Sequence, residues 1–147
     1  MLKLDQADFT AGRAKFEDNA PWSAEPTPKI YVKITPEPQS LNAIFLAQLD
    51  TGAPWSLLDA EVADNLNLLN GEGEQRTVRT WRGAVRGRLE RISLRLHADE
   101  GDSLDFEATF LVSADWHSGN FLGYGGLLQH IRFAVDATHN FFYFGKE

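Results

Sequence analysis

The sequence predicts a mostly β protein, on three observations. Apolar residues recur at every second position in three separate segments, the pattern of strands with one buried face. One run of seven nearly continuous apolar residues falls short of helix length and reads as a strand. Gly, Pro, Asn and Asp punctuate the stretches between these segments. With 147 residues, 43% of them apolar and 12% aromatic, the chain fits one packed core rather than two.

Residues 1–28 are mixed and polar, with Pro21, Pro26 and Pro28 near their end. They read as a loosely structured N-terminal arm, with room for a short helix, pinned to the body through Phe9, Phe16 and Trp22. The domain proper runs from 29 to 147. Ile30, Val32 and Ile34 alternate with Lys29, Tyr31 and Lys33, giving a strand with one wet face. Residues 43–49 are the continuous apolar run, set off by Pro36 and Pro38 and expected to be covered on both faces. A short strand at 56–58 leads to Asp59, which has the chemistry of an N-cap for a helix over 60–66, with Glu61 favourable in its first turn. A hairpin follows, with Trp81, Arg82, Gly83 and Ala84 at its turn and Gly87 loosening the returning strand. Ile92, Leu94 and Leu96 then alternate with Arg91, Ser93 and Arg95. After the polar turn 98–102, Leu104, Phe106, Ala108, Phe110 and Val112 repeat the period, so these two segments pair antiparallel. Phe121-Leu122-Gly123 precedes a short helical stretch over 126–131, and strands at 132–136 and 140–144 flank a turn at 137–139.

Fourteen Lys and Arg against 21 Asp and Glu give a net charge of −7. Such a chain repels phosphate backbones, and no nucleic-acid partner is expected. The charge is uneven. Arg76, Arg79, Arg82, Arg86, Arg88, Arg91 and Arg95 face only Glu90 within their window, which carries +6 and leaves −13 elsewhere. A solvated strand pair with its charges outward accounts for this pattern. No apolar stretch reaches the ~18 residues of a membrane span, and residues 1–27 lack the basic start and apolar segment of a secretory signal, so no membrane partner is expected. Cysteine is absent, which removes disulfides, thiol catalysis and Cys-ligated metals and fits a reducing, cytoplasmic setting. His97, His117, His130 and His139 are scattered without zinc-ligand spacing, so no metal site is expected. The sequence has neither a Gly-x-Ser-x-Gly elbow nor a phosphate-binding loop.

The informative tripeptide is Asp50-Thr51-Gly52, followed by Ala53. It puts a carboxylate directly after an apolar strand, at the start of a tight turn where Gly52 permits close backbone approach. Taken alone, an Asp-x-Gly turn after a strand is usually only a turn. Its surroundings are more specific. Leu46-Ala47-Gln48-Leu49-Asp50-Thr51-Gly52-Ala53, then Ser56-Leu57-Leu58 and a helix, then a glycine-containing hairpin some thirty residues on, then Phe121-Leu122-Gly123 with Leu127-Leu128, resembles the retropepsin-like aspartic proteases from about Lys29 to Gly145.

The resemblance implies a closed β-barrel of the acid protease fold with two short helices. It also implies an aspartic endopeptidase that needs no metal and no organic cofactor. Asp50 matches the catalytic aspartate. One carboxylate cannot both activate water and protonate the leaving group, so the family pattern implies a homodimer in which two copies of Asp50 meet on a two-fold axis and hold one proton between them. Thr51 would tie the two turns together, and Gly52 would receive substrate backbone. Ala53, Trp81, Arg82, Gly83 and Ala84 would bind the polypeptide substrate, the last four as a lid. Under that lid, the basic window would favour acidic substrates. The family's usual ion pair is absent, because Pro54 and Tyr124 stand at its two positions and an apolar contact is expected instead. Gly125-Gly126 is an insertion, 141–144 extends past the usual last strand, and Trp55 is bulky enough to narrow the cleft. These departures keep a second reading open, a catalytically inactive protease-like module for peptide binding or assembly.

Overall fold

The computed structural model describes residues 1–18 and 29–147. Trp22 and the three prolines of the expected arm lie outside the described residues. Strands β1 (Lys3–Leu4) and β2 (Ala7–Asp8) form a small ribbon across Asp5 and Gln6, both at positive φ. Then follow β3 (Gly12–Lys15), β4 (Tyr31–Pro36), β5 (Phe45–Leu49), β6 (Ser56–Leu58) and helix α1 (Ala60–Asn65). The second half has β7 (Glu74–Thr80), β8 (Gly83–Leu96), β9 (Glu100–Gly101), β10 (Leu104–Val112), β11 (Asn120–Leu122), a 3-10 turn (Leu128–His130), β12 (Ile131–Asp136) and β13 (Phe141–Lys146).

Six strands close a barrel. The order β10-β6-β11-β5-β4-β8 returns to β10 through the long β8–β10 antiparallel pairing, while β7 hangs on β8 outside the ring. Two pairs, β11 with β5 and β10 with β6, are parallel, and the first brings the ends of β5 and β11 side by side. The barrel interior holds Ile34, Ala47, Leu58, Ile92, Leu94, Ala108, Phe110 and Leu122. On the other face of β6 and β10, Leu57 and Leu111 join Val78, Val85 and Trp116 in a second cluster beneath the β7–β8 hairpin. The three residues of β6 are therefore all buried, as a strand covered on both faces must be.

Asp59 caps α1 as expected, its Oδ1 accepting from the Glu61 amide at 3.0 Å. The predicted 91–96/104–112 pair is present, with Leu96 opposite Leu104.

Four expectations change. Residues 12–15, expected in a loose arm, form β3, which pairs with β13 on one side and with the two-residue β9 on the other. Gly12, Ala14 and Phe16 alternate inward, and Phe16 and Ala14 enter the barrel-side core beside Phe142 and Phe144. Arg13 on the opposite face lies 4.1 Å from the Phe141 ring and 2.7 Å from Glu100. The polar turn 98–102 accordingly contains a short strand. The late helix is only a 3-10 turn, because Gly126 takes a left-handed conformation before it and β12 begins at Ile131. Finally, β5 is covered on one face: Ala47 is fully buried, whereas Leu46 and Gln48 point into an open groove. Its apolar run reflects a cleft wall rather than a second packed layer.

Candidate active site

Asp50 leaves the end of β5 in a turn closed by its own side chain. Its Oδ1 accepts from the Gly52 amide at 3.1 Å, and its carbonyl accepts from the Ala53 amide at 3.1 Å. Its own amide donates to Leu122 O at 2.9 Å, so β11 sets the position from which the carboxylate projects.

The turn is also tied to the segment after β11. Ala53 and Pro54 carbonyls accept from the amides of Tyr124 and Gly125 at 2.9 and 3.0 Å. The fully buried Ser56 Oγ accepts from the Gly123 amide at 2.9 Å. A Cβ at Gly123 would stand 2.5 Å from the Trp55 carbonyl carbon and oxygen, closer than side-chain atoms come, so only glycine allows this approach. The link between the Pro54 and Tyr124 positions is thus carried by the main chain. The Tyr124 ring, expected in an apolar contact, is 55% exposed.

Asp50 opens on a cavity of about 320 Å³ bounded by Gly52, Ala53, Trp55, Val78, Arg79 and Trp81 among others. The β7–β8 hairpin roofs it. The left-handed step of the hairpin turn falls on Gly83 (φ +97°), where a glycine pays no steric cost. Thr80 Oγ1 donates to Gly83 O at 2.9 Å and accepts from the Arg82 amide at 3.1 Å. Trp81 at the tip is 72% exposed, with the Arg82 guanidinium 4.5 Å from its ring centre. A second cavity, about 450 Å³, continues from the first across the shared residues Trp81 and Phe121.

Of the residues singled out from sequence, Asp50, Gly52, Ala53 and Trp81 border the Asp50 cavity and Arg82 the adjoining one. Thr51 is exposed at the turn, and Gly83 and Ala84 border neither space. Trp55 does wall the cavity, as its bulk predicted. Only Arg79 and Arg82 of the seven arginines reach these two cavities. Arg76 pairs with Glu74, Arg95 with Asp105, and Arg86 and Arg88 border a different cavity near Asp115.

Sequence reasoning passed over Asn120. It is buried, and its side chain accepts from the Asp59 amide at 2.9 Å and donates to Leu46 O at 3.2 Å. Asp59 Oδ2 returns a bond from the Gly119 amide at 3.1 Å, so the two residues lock β5, the start of α1 and β11 together. The available signal was a polar side chain in an otherwise apolar short strand, immediately before Phe121-Leu122-Gly123. Lys29, Tyr31, Gln48 and His117 were also missed as groove residues, and nothing local marks them. Tyr31 sits partly sheltered there, and burial pushes its phenol above the usual range. Among the described residues, no group of three or more potential metal ligands comes together, and no helix is long and apolar enough to cross a membrane.

No protein-family model matches the sequence, and no curated protein matches it. Among solved structures, the chain is similar to the crystal structure of a retropepsin-like aspartic protease from Rickettsia conorii. The TM-score is 0.58 at 18% identity, covering 90% of this chain and 98% of that one. It also overlaps the retroviral protease-like domain of Ddi1 from Leishmania major, with a TM-score of 0.45 at 16% identity, over 81% and 94% of the two chains. The first of these likenesses establishes the fold: the chain has the retropepsin-like closed barrel, as the sequence motifs implied.

Proposed function

We propose that this chain, built on the retropepsin-like fold, is an aspartic endopeptidase that works as a homodimer in a reducing, cytoplasmic setting. One observation carries the reading. A carboxylate held by its own turn at the end of a barrel strand opens on a cavity roofed by a hairpin with an exposed tip. Asp50 Oδ2 has no protein hydrogen-bond partner among the described residues, which leaves an oxygen for a water or for a second carboxylate.

A single Asp50 supplies half of the chemistry. In the dimer two such carboxylates share one proton. The ionised one removes a proton from a water, whose oxygen attacks the substrate carbonyl carbon. The protonated one donates to the carbonyl oxygen. The carboxyl that took the water's proton passes it to the amide nitrogen, and the other carboxylate takes back a proton from one hydroxyl. The C–N bond breaks, and acid and amine leave with one proton again shared by the pair. Gly52 leaves room for substrate backbone beside the carboxylate, Thr51 faces the partner's turn, and Trp81 and Arg82 close over the bound strand.

The test is hydrolysis of a mixed peptide library between about pH 4 and 7, alone and with a peptide carrying a hydroxyl in place of the scissile carbonyl. Asp50→Asn should lower kcat/KM by at least about 100-fold, the usual worth of a general acid–base group. Turnover that survives Asp50→Asn overturns the reading. The alternative, a peptide-binding or assembly module without turnover, is favoured by Trp55 walling the cavity and by the single carboxylate per chain. A strict monomer in sedimentation at micromolar concentration decides for it.

A further inference from the structure

We propose that the larger groove selects polypeptides with an acidic side chain one or two residues from the bond held at Asp50. This refinement rests on the peptidase reading and narrows it to a substrate class. The groove of about 450 Å³ is bordered by Lys29, Arg82 and His117 and by the rings of Tyr31, Trp81 and Phe121. None of the residues bordering it is Asp or Glu. Its lining is thus net basic in a chain with 21 acidic residues and a net charge of −7.

Its cations are also uncommitted. Arg76 and Arg95, elsewhere on the hairpin, are neutralised at 3.0 and 2.7 Å by Glu74 and Asp105. Lys29 and Arg82 have no ion-pair partner among the described residues, and Arg82 lies over the Trp81 ring instead. Lys29 and Arg82 are both exposed, so an ion pair with a substrate carboxylate forms without deep desolvation, is of modest strength and is screened by salt.

The position follows from the strand. Gln48, which borders the groove, stands two residues before Asp50, about 7 Å away at strand rise. The groove adjoins the Asp50 cavity at Trp81 and Phe121, and an extended substrate advances by about the same distance in two residues. Its side chain one or two residues from the scissile peptide therefore enters the groove.

The experiment compares fluorogenic peptides that differ only as Glu against Gln at each of the positions flanking the cleaved bond. These side chains share a shape and differ in charge. Cleavage is read on the wild-type chain, and binding of the same peptides is read by fluorescence anisotropy on Asp50→Asn. We expect a Glu/Gln ratio of at least about fivefold at one such position, the worth of a well-placed ion pair. It should fall toward one in Lys29→Gln and Arg82→Gln, and shrink as salt rises from about 50 to 200 mM.

Cleavage with a ratio near one at every position overturns the inference and leaves the peptidase reading intact. A Glu preference in binding with no cleavage of any peptide supports the groove and removes the peptidase reading. A preference undiminished in both cation variants overturns the assignment to these residues.

Discussion

Replacing Gly123 by Ala tests how the two segments around Asp50 are held together. An added Cβ would meet the Trp55 carbonyl carbon and oxygen at 2.5 Å and the Ser56 amide nitrogen at 2.8 Å. All three are main-chain atoms, fixed by β6 and by the bridge between Trp55 and Gly125, so no rotamer change relieves the clash. Overpacking of this kind costs about 1–3 kcal/mol. Separating the segments also removes the buried bond from Gly123 to Ser56 and strands the amide, for about 1–3 kcal/mol more. A total of about 2–6 kcal/mol is a large share of the 5–15 kcal/mol, roughly, that holds a domain folded. Ser56→Ala isolates the second contribution. Because Gly123→Ala has already broken that bond, the double variant should be less damaged than the sum of the singles by about 1 kcal/mol or more. Urea unfolding of the four proteins, at unchanged m-value, gives every figure. A cost below about 1 kcal/mol for Gly123→Ala, or strict additivity, would refute the claim that this contact positions the Asp50 turn.

Two further outcomes follow from packing and burial. Phe16 is 4% exposed and joins the barrel-side core from the N-terminal strand, so Phe16→Ala should cost about 3–5 kcal/mol in chemical denaturation. A loss under about 1 kcal/mol would return residues 12–16 to the status of a peripheral arm. His97 Nε2 lies 2.6 Å from the buried Thr35 Oγ1, which donates to Ala43 O and therefore accepts from the imidazole. Burial first, then Arg95, holds this imidazole below its ordinary value, with Asp105 pulling the other way and Lys33 adding to the fall. The folded state resists protonation, so its stability is full above the unfolded value of about 6.5 and declines as pH falls below it. His97→Asn should flatten that part of the profile of unfolding midpoint against pH, and an unaltered acid limb would count against the assignment.

Much of this fold was legible because its signals are local. Asp59 before 60–66, the Trp81–Arg82 turn with Gly83 behind it, and the alternation through 91–96 and 104–112 each depend on neighbours a few residues apart, and each stands as expected. The Asp50 turn is legible for the same reason, since Asp50, Gly52 and Ala53 make their own bonds. What the sequence hid depends on partners far along the chain. Period-2 inward positions at Gly12, Ala14 and Phe16 were present, but a four-residue strand earns little notice until β13, some 130 residues on, supplies its mate. The run 43–49 misled in the opposite direction. An apolar residue facing a cleft and one facing a packed layer look alike in a string of letters, and only Gln48 interrupts the pattern.

The charge of the groove was the least readable feature, and the reason is geometric. Seven arginines in one window read as the outward charges of a solvated strand pair that, as a lid, would favour acidic substrates, yet a hairpin sends successive side chains to opposite faces. Val78 and Val85 are paired across β7 and β8 and both turn toward the body, whereas Arg86, next to Val85, borders a separate cavity with Arg88 near Asp115. Counting charges along the chain therefore overstates what a bound strand would meet. Lys29 and His117, by contrast, flank the groove from outside the arginine window, 52 residues before Trp81 and 36 after it. Electrostatic preference at this site is set by which few cations topology gathers at the end of β5, and composition within the hairpin is a poor guide to it.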